Sequence, residues 1–327
     1  MKKDLSRISR ICRSRLSRIG LAFFVFFAVT FTLQGALVTA VAILAPSWMS
    51  SPLFAWLQSF AVMYGAAFPL FYLILKPLPT RRCGGRSISG LDLTILFFIS
   101  FAAMYVMNIV GTGINLLTDA ILGRSSSADA TTMITESPLY LIIFFAVILG
   151  PILEEVMFRK ILLSRLLPFG ERFAILVGAI FFALYHGNLS QFLYAFLVAL
   201  IFGVIVCRTG KIRYTILLHM LINFFGSIPP TILTRRTEAL GIDGMDEAAL
   251  MANPEALITM LLASFYSLLL LAAVAIGIFL LVRYAKRMIP RPTEHPIPKG
   301  ERRYLALSVG CFLYAAITLF LFATSYL

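Results

Sequence analysis

Two adjacent glutamates stand in an apolar stretch as Glu154-Glu155-Val-Met-Phe-Arg159. A charge inside such a stretch is costly, so each one needs a partner or a task. On a helix Glu155 and Arg159 are four apart and share a face, which lets them pair, whereas Glu154 is turned about 100° away. The spacing therefore predicts an internal Glu155–Arg159 ion pair and leaves Glu154 free to face a cavity and hold water. Three histidines complete the inventory. His186 closes Phe182-Ala-Leu-Tyr-His186, His219 opens His219-Met-Leu-Ile-Asn223, and His295 lies in a basic, proline-rich stretch that reads as solvated. His219 and Asn223 also share a helix face.

A carboxylate, two imidazoles and an amide in a desolvated pocket are the parts for hydrolysis by an activated water. Glu154 is the general base, His186 holds or polarises the water, and His219 with Asn223 donates to the developing oxyanion. Alternatively, Glu154, His186 and His219 are candidate ligands for a divalent metal such as zinc, with one position left for water. The chain has no HExxH, so that set must assemble from distant residues. The plainer alternatives are packing histidines and an Asn223 that glues helices. No Ser or Cys with a neighbouring base stands out, which disfavours a covalent route.

The elements that carry these groups are membrane helices. With 60% hydrophobic and 13% charged residues and a mean hydropathy of +0.92, the chain has too little polar surface for a soluble globule. Apolar stretches at 20–46, 53–75, 91–117, 138–158 (running on to 167), 173–187, 191–207, 214–228, 256–282 and 304–325 predict an all-α polytopic bundle of about nine spans. The net charge of +13 would suggest nucleic acid in a soluble protein, but 24 of the 28 Lys and Arg fall in alternate connecting segments. That bias predicts an inside N-terminus and an outside C-terminus, with no nucleic-acid partner. Counting 1.5 Å per residue from the predicted inner ends puts Glu154 roughly 18 Å deep, His186 about 20 Å, His219 about 9 Å and Asn223 about 15 Å.

The predicted organisation is a basic tail at 1–19, N-terminal spans at 20–137, a core at 138–228, an outer loop at 229–255 and C-terminal spans at 256–327. In the tail, Leu5, Ile8, Ile11, Leu16 and Ile19 recur near helical spacing among arginines. This reads either as an amphipathic helix on anionic lipid or as a disordered basic tail. Cys12, Cys83 and Cys207 map to the inner side and Cys311 to the last span, so no disulfide is expected.

In order, EExxxR (Glu154, Glu155, Arg159), FxxxH (Phe182, His186) and HxxxN (His219, Asn223) resemble the CPBP family of intramembrane proteases. That family includes CAAX prenyl endopeptidases of the Ras-converting type and bacteriocin-processing or immunity relatives. The resemblance covers about 138–226. It implies a helical core around a watery cavity and endopeptidase activity, with Glu154 and His186 as the water-activating pair and His219 with Asn223 as the oxyanion site. Glu155, Arg159 and Phe182 become supports. The substrate would be a membrane-associated protein or peptide, and a bacterial plasma membrane is the expected location. A non-catalytic membrane partner or immunity protein keeping the fold is the alternative. A proton-coupled transporter lacks the paired broken helices it would need.

Overall fold

Every regular element among the described residues is helical, as lipid demands of a spanning chain that must satisfy its own backbone groups. The structure, a computed structural model, describes residues 2–123, 133–134, 136–290 and 308–324. Among these residues seven helices are long and apolar enough to cross a membrane: α1 (Lys2–Leu44), α2 (Pro52–Leu75), α3 (Gly90–Leu122), α4 (Leu139–Phe169), α6 (Leu189–Thr209), α7 (Arg213–Leu240) and α8 (Pro254–Tyr284). The other two predicted spans form shorter helices, α5 (Glu171–Tyr185) and α9 (Val309–Thr324). The protein is thus an all-α polytopic bundle, in which seven of the nine expected spans have full spanning length. His295 lies outside the described residues.

Helix starts follow local chemistry. Ser89 and Asp92 form a reciprocal capping box at α3, and the Asn188 and Asn253 side chains cap α6 and α8, each satisfying otherwise unpaired N–H groups. Close crossings use small residues. Gly310 of α9 lies against the Ser17 backbone of α1, and Gly277 of α8 against the Phe98 carbonyl of α3. Tyr314, one turn beyond Gly310, stacks among Phe23, Phe27 and Phe181, so α9 runs parallel to α1. That is the relation an odd number of crossings gives. Phe23 is the hub of the core, with ring centroids at 4.9 Å from Phe71, 5.5 Å from Phe158 and 5.0 Å from Phe181.

Two helices run past the expected segment boundaries. The tail is not a separate unit, because α1 is continuous from Lys2 and buries Leu16 and Ile19 in the protein core. There α9 lies across it, with Gly310 N–H donating to Ser17 Oγ at 3.0 Å. Of the predicted tail stripe, Ile11 is exposed, and the side chains of Leu5 and Ile8 lie outside the described set. Nor does a loop begin at 229. α7 continues to Leu240 through Pro229 and Pro230. Proline lacks the N–H that the carbonyl four residues back would take, and the Tyr105 and Tyr266 hydroxyls donate to that carbonyl, on Phe225, instead.

Proline shapes the other irregular turns too. Wide π-helical runs occupy Ala61–Ala67 in α2 and Ile142–Leu149 in α4, each ending two residues before a proline, Pro69 and Pro151. A third run, Val156–Leu162, follows directly on Glu155. Such bulges re-aim side chains and are frequent at functional sites.

Candidate active site

The six-residue α-helical stretch Gly150–Glu155, between two π-helical runs, presents the acidic pair. The Glu155 side chain is fully buried, whereas that of Glu154 keeps 19% of its surface open. Glu154 therefore faces the cavity and Glu155 the protein. Glu155 Oε1 meets Arg159 Nη1 at 3.2 Å and accepts from His219 Nδ1 at the same distance. His219 Nε2 lies 3.8 Å from Glu154 Oε2. The imidazole thus stands between the two carboxylates, a link that spacing alone assigned only to Arg159.

Phe182 organises two of these groups. Its ring lies 4.3 Å beneath the Arg159 guanidinium, a favourable cation–π contact for a buried charge, with Phe202 on a second side at 5.4 Å. Its carbonyl accepts from His186 Nδ1 at 2.9 Å. Since a carbonyl can only accept, Nδ1 carries the proton and the neutral ring keeps an unprotonated Nε2. That nitrogen is the free acceptor a bound water needs.

Asn223 is positioned by Pro151. Gly150 N–H bonds to the Phe145 carbonyl and residue 151 has no N–H to offer, so the Ala146 carbonyl loses its helical partner. Asn223 Nδ2 donates to it at 2.9 Å. One N–H and the side-chain carbonyl of Asn223 remain for other work.

These residues surround one cavity of about 330 Å³, lined by Glu154, Phe182, His186, His219 and Asn223. Spacing did not find the rest of its wall, which includes Trp56, Phe60, Met63 and Tyr64 of α2, Met104 of α3, Tyr185 of α5, and Gln191 and Tyr194 of α6. Tyr185 had a signal, its place beside His186 inside the FxxxH motif. Tyr64 had none, being 121 residues from its hydroxyl partner Tyr185. Among the described residues no three His, Cys, Asp or Glu side chains converge as metal ligands. Of the candidate set Glu154, His186 and His219, Glu154 Oε2 and His219 Nε2 are the pair that the structure brings to 3.8 Å.

Fold and site together define a polytopic helical membrane protein with a carboxylate–histidine cavity. Residues 136–225 match the family model of the type II CAAX prenyl endopeptidases, Rce1-like. A relative described as the putative membrane peptidase YdiL of Bacillus subtilis (strain 168) is 28% identical over 167 residues, 50% of this chain and 68% of that protein. No solved structure matches. Over this stretch the chain is similar to membrane peptidases, and its helices make it an integral, multi-pass membrane protein.

Proposed function

We propose that this protein is an intramembrane endopeptidase that cleaves a peptide bond of a membrane-associated protein or peptide with a water activated by Glu154. The observation that carries the reading is the division of the acidic pair. Glu154 opens on the cavity, and His219 is held 3.8 Å from it by Glu155 behind.

In this reading a water sits between Glu154 and the unprotonated Nε2 of His186. Glu154 takes one proton and the oxygen attacks the scissile carbonyl carbon. The oxyanion accepts from the remaining N–H of Asn223 and from His219 Nε2–H. Because Nδ1–H of His219 is committed to Glu155, donation from Nε2 requires the imidazolium. Glu154, Glu155, Arg159 and His219 then carry two charges of each sign, which suits a site with little water. Collapse of the intermediate returns the proton from Glu154 to the departing amine. Glu155, Arg159 and Phe182 touch no substrate and act by positioning.

Anionic lipid around the basic residues near the start of α1 fits the same inner-face orientation. The test uses protein reconstituted in vesicles. Wild-type protein cleaves a membrane peptide with chelators present, and Glu154→Gln does not; loss of cleavage on chelation, restored by zinc, would overturn the metal-free route.

A further inference from the structure

The cavity holds a second polar feature that the mechanism above leaves unused. The hydroxyls of Tyr64 and Tyr185 meet at 3.0 Å, and both residues line the same cavity as Glu154 and His186. They come from two different helices. Tyr64 lies in the π-helical run of α2, while Tyr185 precedes His186 at the end of α5. The Tyr185 ring is fixed by Phe26, Phe27 and Phe158, with centroids at 5.8, 5.8 and 5.2 Å, and Phe60 lies 5.4 Å from the Tyr64 ring. Rings held in this way put the hydroxyls in one place.

Two phenols hold two O–H protons, and the bond between them uses one. The other stays available beside the cavity, in a region where an unused donor is expensive. Glu154 interacts electrostatically with both hydroxyls, so they lie within the field of the carboxylate that the reaction uses. A neutral donor there suits an oxygen that gains negative charge, because it needs no change of its own protonation to serve.

We infer that the Tyr64–Tyr185 pair is a further oxyanion donor, giving its spare O–H to the scissile carbonyl oxygen as charge develops. This rests on the hydrolytic reading above. It also accounts for pairing the phenols: each holds the other in place, and either can supply the outward proton.

The test presents a library of intramolecularly quenched apolar peptides to protein in phosphatidylcholine–phosphatidylglycerol vesicles. Removing both hydroxyls leaves no orphaned partner, so the double variant Tyr64→Phe with Tyr185→Phe is the milder change for folding. It is expected to lose about 100-fold in kcat with KM within roughly threefold of wild type, and to keep its thermal midpoint. Should the double variant fold poorly, Tyr64→Phe alone is expected to lose about tenfold in kcat while staying folded, since Tyr185 retains one donor in a less fixed position. Wild-type kcat in the folded variant, or a loss only in proportion to unfolded protein, overturns this inference alone. A library that wild-type protein leaves intact overturns the hydrolytic reading and this inference with it.

Discussion

Glu155 and His219 are joined by a 3.2 Å hydrogen bond from Nδ1–H to Oε1, and the same oxygen faces Arg159. One buried carboxylate thus serves a fixed cation and fixes the ring that faces Glu154. Glu155→Ala strands Arg159, only 4% exposed, and is expected to destabilise the protein by about 3–5 kcal/mol. Glu154→Gln removes a group that opens on the cavity and is expected to cost less than about 1 kcal/mol. Unfolding of the two purified variants in detergent checks the contrast; equal losses would contradict the division of roles.

The Pro151–Asn223 relationship makes a coupling prediction. Asn223→Ala leaves the Ala146 carbonyl unpaired, at a cost of about 1–3 kcal/mol. In a Pro151→Ala background residue 151 has an N–H of its own, and the same substitution is expected to cost less. A double-mutant cycle should show a coupling of at least about 0.5 kcal/mol. Additive losses would mean that Pro151 does not place Asn223.

Much of the fold was legible because lipid restricts the choices. Run length located the helices. Where the chain departed from expectation, proline was involved: Pro229 did not end α7, because the Tyr105 and Tyr266 hydroxyls, out of sight in sequence, take up the carbonyl it leaves. In the site, helical arithmetic turned Glu154 away from Glu155, and their exposures differ accordingly. Counting depth along straight helices set His219 about 9 Å below Glu154, yet His219 Nε2 lies 3.8 Å from Glu154 Oε2. The π-helical run Val156–Leu162 rises less per residue, and long side chains span the remainder. Tyr64 was invisible, since nothing local marks a residue whose partner lies 121 positions away.

Helix crossings give a packing prediction. A Cβ on Gly310 would fall on the Ser17 backbone, whereas one on Gly35 meets nothing within 4 Å. Gly310→Leu is therefore expected to separate α9 from α1 and lower the yield and thermal midpoint of the folded protein, while Gly35→Leu leaves both unchanged. Equal behaviour of the two variants would contradict the parallel α1–α9 contact.

On the connection between α2 and α3, a hydrogen bond with the Cys207 thiol holds the Cys83 thiol below its ordinary range; Arg81 assists, while burial and Glu171 oppose. Its thiolate forms at lower pH than an ordinary cysteine's, so its alkylation by iodoacetamide should reach half-maximal rate at lower pH. Cys207→Ala removes the leading cause and should move that point upward. Mass spectrometry of the labelled peptide across a pH series reads the shift directly, and no shift in the variant would remove Cys207 as the cause.

The central claim is that Glu154 activates the water that cleaves a membrane peptide. Comparative peptidomics of membranes from cells carrying wild-type or Glu154→Gln protein, at matched levels of folded protein, tests it most directly. The account predicts at least one membrane-derived peptide present with wild type and replaced by its uncleaved precursor with Glu154→Gln. Identical peptide patterns from the two membranes, or the same cleavage persisting in the variant, would contradict it.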